Sequence, residues 1–503
     1  MARRLPRISP LLVAEACAVV AFVVLAAHVL LRSPPAPALA PLDAAALATG
    51  PGNEQWMGIF FEDQPVGYAV ESRMPTRDGG TLLRSHSLFR VASMGEIQVI
   101  ATSGTALLDA DRRLVSFDVL LSSGDLRLAA RGEVVPGGLR MEVLQAGESR
   151  TLEVPMAEPP QMSLSLGAAL AGRTLRVGDR FDLPWFDPVT LSQDRMQVAV
   201  TGVELVPGTA EEAFWLDMRV GSVETRRLVT PSGDVLREEG GLGLSMVRMP
   251  REEAEALVGD QPAVDFIAIA SVPLDVPIPD ARNALALDLE VSGVDPSRIP
   301  DEPPLQDVDG STVRIRLPLA QEIPLVPLMV GPTGDPTLDA ALSPTFLLPS
   351  AHEEIRARAA EVVGGATSRR EAARRLVDWV FAHVEKRPVV GVPNGLEVLR
   401  RMQGDCNEHT SLYVSLARAA GVPARIAAGL VYTDRISGKP AFYYHAWPEV
   451  QLGGDPAWVP VDPTFGQFPA DATHLKLVEG DLDRQVEIVG MMGRIRLAVA
   501  GPG

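Results

Sequence analysis

Gly404-Asp405-Cys406-Asn407-Glu408-His409-Thr410 has a polar start that gives way to Leu412, Leu416 and Ala419/Ala420 at helical spacing, and Gly421 and Pro423 end the run. The pattern predicts a helix with one face in a core and Cys406 in its first turn. Unpaired amides and the positive end of the helix dipole favour a thiolate there. Asp405 works the other way, since its charge raises a neighbouring thiol pKa. Spending the Asp405 carboxylate on the amides of the first turn as an N-cap would soften that effect.

Downstream, Ala424 to Tyr432 reads as a strand. The turn-rich stretch Asp434 to Pro440 leads into Phe442-Tyr443-Tyr444-His445-Ala446-Trp447-Pro448-Glu449-Val450. Gly453-Gly454-Asp455 reads as a tight turn, and Ala457 to Thr464 runs back. With the turn centred on Gly453-Gly454, residues whose numbers sum to 907 face each other, and His445 and Asp462 form such a pair. Opposed residues have Cβ atoms about 4.5–5.5 Å apart on one face, close enough for a carboxylate to hold an imidazole. Pro448 and Pro460 argue for an irregular hairpin.

A thiol at a helix start, an imidazole on a strand and a carboxylate beside it form a set for nucleophilic catalysis. Cys406 would attack an amide carbonyl, His445 would shuttle the proton, and Asp462 would orient His445. The Cys406 N–H is a natural oxyanion donor, with Gln403 or Asn407 as candidates for the second. The chemistry needs no cofactor and no metal. Glu408 and His409 read as structural, and Tyr443, Tyr444 and Trp447 as cleft wall or core. Two alternatives stay open: a silent module that binds peptide or envelope polymer, and a metal site using Cys406, His409, His445 and Asp462.

Residues about 345–467 resemble the transglutaminase-like superfamily, whose core is papain-like. The resemblance rests on Gly404-Asp405-Cys406-x-Glu408-His409, Ala420-Gly421-Val422-Pro423-Ala424-Arg425, His445-Ala446-Trp447-x-Glu449-Val450 and Trp458-Val459-Pro460-Val461-Asp462-Pro463-Thr464. It carries the catalytic Cys, His and Asp of that family onto Cys406, His445 and Asp462. The Asp-Cys-x-Glu-His form is similar to bacterial members, many of them membrane-anchored or exported. In the animal cross-linking enzymes Gln precedes the cysteine and Trp follows it. Asp405 and Asn407 stand there in this chain, which argues against calcium-dependent cross-linking. The implied activity is that of a protease, amidase or acyltransferase working through a thioester.

Upstream, helical periodicity begins at His352, with Ser350 as the expected N-cap and Gly364-Gly365 as the stop. Thr367 or Ser368 caps the next helix, whose stripe is Leu376, Val377, Trp379, Val380 and Val384. Residues 251–344 read as a Pro-rich connector with strands near 285–291 and 312–317. Residues 55–250 read as a β-rich domain of short alternating runs punctuated by Asp78-Gly79-Gly80, Pro136-Gly137-Gly138 and Pro231-Ser232-Gly233-Asp234. Residues 33–54 form a Pro/Ala-rich linker.

Residues 1–32 read as a membrane anchor. Leu11 to Leu31 is apolar except for Glu15 and His28, long enough to cross a hydrocarbon core of about 30 Å. Arg3, Arg4 and Arg7 precede it, which places the amino terminus in the cytoplasm and the bulk of the chain outside. A cleaved signal peptide ending at Ala38-Leu39-Ala40 is the competing reading. Cys17 falls inside the apolar run and reads as a small buried hydrophobe.

The 503 residues exceed one ordinary core, so two or three domains are expected. Hydrophobic residues at 46% and charged residues at 22% exclude a largely disordered chain. A net charge of −18 without a basic cluster excludes a basic nucleic-acid binder. Two cysteines exclude a disulfide framework. The expectation is an α+β protein: a papain-like transglutaminase core over 345–503, a β-rich domain before it and one amino-terminal transmembrane helix. It would sit in the cytoplasmic (inner) membrane facing outward, with protein, peptide or cell-envelope material as substrate.

Overall fold

The computed structural model describes residues 39–500, apart from 51, 94–95, 125, 260–262, 266–270, 390, 437 and 454–457. The expected anchor, Cys17 and the first part of the linker lie outside the described residues. Among the described residues no helix is long and apolar enough to cross a membrane. The account below concerns the compact unit from Pro41 onward.

The β-rich region expected from alternation is one large sheet. Among the described residues it has fifteen strands, nearly all antiparallel neighbours in sequence order. The first strand, Asn53–Phe61, sits mid-sheet between Gln64–Pro75 and Leu244–Arg248, so two meanders run outward from it. Period-two burial puts Leu139, Met141 and Val143 inside while Arg140 and Glu142 stay nearer solvent. The short helix Ser163–Leu170 joins both meanders. Its Leu166 and Leu170 pack with Met57, Val198, Leu216 and Val229. Ala168, with Met162 just before the helix, packs with Leu83, Phe117, Leu128 and Met141 of the other meander. A sheet gripping one eight-residue helix from both ends must curve around it. Gly233, at φ +82°, makes one such turn possible, and a Cβ there would meet the Gly167 carbonyl at 2.1 Å.

In the carboxyl-terminal part, Val272–Pro273, Ala441–Gln451, Ala424–Thr433 and His474–Glu479 lie side by side in that order, with Trp458–Pro460 also paired to Ala441–Gln451. Helices Glu353–Val363, Arg369–His383, Gly395–Arg401 and Cys406–Ala419 pack together against this sheet. Leu412, Tyr413 and Leu416 meet Ile355, Leu376, Val377 and Val380 there, each buried. A fully buried side chain of this kind contributes about 1.5–3 kcal/mol. The first of these helices starts at Glu353 and is capped by the His352 ring, which accepts the Glu354 N–H; Ser350 is not the cap. Ser368 caps the second, as one of its two expected caps.

The stretch expected as a connector is packed structure. Ala286–Ser292, Gln306–Asp309 and Thr312–Arg316 form a sheet with Arg496–Val499. Leu287, Leu289, Val313 and Ile315 share a core with Leu430, Phe442 and Leu475. Lys476 Nζ ties the two parts further, 2.8 Å from both Glu302 and Glu449.

The hairpin register differs from expectation. Glu449 faces Pro460, Val450 faces Val459 and Gln451 faces Trp458, so opposed numbers sum to 909. A slip of one residue would invert the faces; a displacement of two keeps them.

Candidate active site

Asp405 caps the helix Cys406–Ala419. Its Oδ1 accepts the Asn407 N–H at 2.8 Å, and Glu408 Oε2 accepts the Asp405 N–H at 3.0 Å, which closes a capping box. Only glycine fits at 404, because a Cβ there would lie 2.2 Å from the Glu408 Cβ. The cap takes the N–H groups of Asn407 and Glu408, and the Asp405 carbonyl takes that of His409, which leaves the Cys406 N–H at the helix mouth.

The Cys406 sulfur is half-buried and accepts a hydrogen bond from the Ala446 N–H, while Thr410 Oγ1 donates to the Ala446 carbonyl at 3.0 Å. The helix start is thereby fastened to the residue that follows His445. The expected thiolate is not what this setting produces. Burial, and then the Asp405 carboxylate, push the Cys406 thiol well above its ordinary range, with Glu408 and Asp462 adding to the effect. Burial and Asp405 likewise push the Glu408 carboxyl well above the usual range. Asp405→Asn keeps a capping oxygen and removes the charge. Alkylation of Cys406 by iodoacetamide at pH 7.5 should then run about 3–10-fold faster, and an unchanged rate would show that Asp405 does not govern the thiol.

The His445 ring lies between Phe465, at 5.1 Å and 11° between planes, and Trp447, at 6.2 Å and 21°. Its Nε2 is 2.9 Å from Asp462 Oδ2. Asp462 has left the hairpin ladder. It starts a tight turn closed by reciprocal main-chain bonds with Gln467, and its Oδ1 accepts the N–H groups of Thr464 at 2.7 Å and Phe465 at 3.0 Å. Sequence reasoning missed His474, whose Nε2 reaches the same Asp462 Oδ2 at 3.1 Å. Behind it, His474 Nδ1 meets the Asp471 carbonyl at 2.9 Å, and Arg282 pairs with the Asp471 carboxylate at 3.0 Å. Asp471-x-x-His474 offered no periodicity or motif that would have marked it.

Burial alone would raise the Asp462 carboxyl, but the His445 and His474 imidazoles hold it well below the usual carboxylate range. Burial would lower the His474 pKa, but Asp471 and Asp462 outweigh it and lift it to about 9. A folded-state pKa above the unfolded value of about 6.5 means that this contribution to stability is complete below about pH 6.5 and lost as pH rises through about 9. Urea midpoints for the parent should fall between pH 6.5 and 9.5 by more than those of His474→Gln. Parallel curves would remove His474 as the source.

The structure thus gathers Cys406, His445 and Asp462 at one place. His409 stays apart from that set: its Nδ1 meets the Asp405 carbonyl at 2.7 Å, and burial lowers its pKa. Among the described residues, the group of ligand-type side chains close enough to share an ion is His445, Asp462 and His474, not the four of the metal alternative. Trp447 and Tyr443 are core. The Tyr444 hydroxyl, 2.8 Å from Gln485 Oε1 and 3.4 Å from Asn407 Oδ1, borders the thiol.

A cavity of about 150 Å³ opens beside Gln403 and Glu408, on either side of the Cys406 position in the chain. Its other wall is Gln98, Ser123 and Leu126 of the large sheet. The loop between the two walls is gripped by the sheet: Val392 is buried in the sheet's own core, and Gln145 Nε2 holds the Val392 carbonyl at 2.6 Å.

Residues 356–463 match the model of the transglutaminase-like superfamily, and this segment, which holds Cys406, His445 and Asp462, is a transglutaminase-like core. No curated relative matches the chain. Among solved structures, a proposed cysteine protease from Cytophaga hutchinsonii is similar at 15% identity and TM-score 0.29, over 43% of this chain and 81% of that one. A beta-barrel-like protein of a domain of unknown function from Brucella abortus is similar at 11% identity and TM-score 0.31, over 39% of this chain and 95% of that one. A proposed protease from Parabacteroides distasonis gives 11% identity and TM-score 0.19, over 76% and 70%.

Proposed function

We propose that this chain is a thiol enzyme that acts on peptide or side-chain amides through a Cys406 thioester, as a protease, amidase or acyltransferase. The observation that carries the reading is a sulfur fastened at Ala446, the residue after a buried imidazole whose Nε2 is bonded to a buried carboxylate. Asp462 fixes the His445 proton on Nε2, which leaves Nδ1 as the base. Cys406 gives its proton to Nδ1 as the sulfur forms its bond to the carbonyl carbon. The oxyanion meets the Cys406 N–H. Collapse breaks the C–N bond, and His445 returns the proton to the leaving amine. Water or a second amine, deprotonated by His445, then releases the acyl group and restores the thiol. Burial and Asp405 push the thiol above its ordinary range, which favours proton transfer in step with attack.

The substrate would be a protein or peptide, with cell-envelope material as one source, and the cavity beside Gln403 and Glu408 would take chain flanking the amide. The anchor read over residues 1–32 would hold the enzyme at the outer face of the cytoplasmic membrane. The test compares the parent with Cys406→Ala on envelope extracts and peptide libraries by mass spectrometry. Amine transfer to a side-chain amide appears as the mass of the added amine less about 17 Da, deamidation as a gain of about 1 Da, and proteolysis as new termini. Identical products from both proteins remove the enzyme reading. One observation favours a silent binding module: three carboxyl groups surround the thiol. Peptide or envelope-polymer binding that survives Cys406→Ala, with no Cys406-dependent turnover by the parent, supports that module.

A further inference from the structure

We propose that His474 is a buried imidazolium that positions Asp462 and balances its charge, so that the carboxylate is held in place to orient His445. The inference deepens the proposed function and rests on it where it speaks of the reaction; the charge state of His474 stands separately.

The argument is a count of donors and acceptors. An ionised carboxylate offers about four lone-pair positions and no donor. Asp462 uses four: Oδ1 takes the N–H groups of Thr464 and Phe465, and Oδ2 takes both imidazole Nε2 atoms. Each Nε2 must therefore carry a hydrogen. For His445 that leaves Nδ1 unprotonated in the neutral ring. For His474 the other nitrogen faces the Asp471 carbonyl at 2.9 Å, and a carbonyl also only accepts. Both His474 nitrogens must donate, and an imidazole with two N–H groups is a cation.

The surroundings fit a buried cation. His474 and Asp462 are both buried. The charged groups facing the ring are Asp462 from the turn after the hairpin, Asp471 from the loop before its own strand, and His445 from the neighbouring strand. Arg282 reaches the far side of Asp471 at 3.0 Å, and its guanidinium covers Phe465 at 4.6 Å. Arg282, Asp471, His474 and Asp462 form two alternating ion pairs whose charges cancel. His445 then faces a network whose charges balance. The two imidazole bonds to one oxygen also fix the carboxylate in its plane. His474 is thus a positioning residue: it touches Asp462, not the reacting atoms.

The test uses the full chain in detergent micelles with 15N-labelled histidine. Proton–nitrogen spectra from pH 5.5 to 9.5 should show one histidine with both nitrogens protonated through pH 8, and this signal should be absent from His474→Gln. Loss of that signature below pH 7, or its persistence in the variant, overturns the proposal. Glutamine still donates one hydrogen bond to Asp462 but carries no charge. In this variant kcat should fall by about tenfold while KM stays within about twofold of the parent, as the carboxylate loses its hold on the imidazole that acts in the chemical step. Unchanged kcat with the charge lost would overturn the positioning part. A parent without Cys406-dependent turnover defeats the proposed function, while the spectra still decide the charge of His474. Zinc retained one-to-one through chelator dialysis, with both Nε2 protons lost, makes the trio a metal site and overturns the inference.

Discussion

His445→Ala should lower kcat/KM by about 10⁴-fold or more on any substrate whose conversion depends on Cys406, with the chain still folded. Burial and Asp405 push the thiol well above its ordinary range, so it depends on a base to lose its proton, and His409 is turned to its own helix start. Phe465 and Trp447 close on a cavity of ring size when the imidazole goes, which costs stability but leaves the strand pairing of Ala441–Gln451 in place. Circular dichroism would confirm the fold and a progress curve the loss. Activity within tenfold of the parent would show that the proton leaves Cys406 by another route.

The second large effect falls on stability. Asp462→Ala removes four hydrogen bonds at a fully buried position and leaves the His474 cation without one of its two counter-charges. Breaking a buried pair on one side costs about 3–5 kcal/mol, a large part of the stability of an ordinary domain. Asp462→Asn keeps the volume and one acceptor, so its stability loss should be smaller, while activity should still fall by about 10⁴-fold through the wrong His445 tautomer. Urea unfolding of both variants at pH 6.5 separates the two outcomes. Equal midpoints for Asn and Ala would mean that the retained volume and acceptor carry no stability.

The helix at Cys406 was legible because its signals are local: a polar cap, helical spacing and a glycine-proline stop. The sheet of short strands was legible for the same reason. The pairing of His445 with Asp462 was found by a register two residues out. The alternation pattern alone does not fix a shift of two, and Asp462 reaches His445 because the chain leaves the ladder after Pro460 and turns back. The strands at 286–292 and 312–316 were visible, but the prolines around them masked their burial, which depends on partners more than a hundred residues away. His474 was invisible because its meaning lies in two acceptors brought together only by the tertiary fold. For the thiol, the opposing pulls of the helix start and Asp405 could be read locally, whereas burial, which weighs most, could not.

Val392, from the segment just before the nucleophile's helix, ends inside the core of the amino-terminal sheet. A gene fusion that exchanged this sheet for an unrelated module would leave that side chain facing water and the stretch leading to Cys406 without its clamp. The sheet and the segment that leads to the site are therefore coupled through this contact, and such an exchange should loosen that segment.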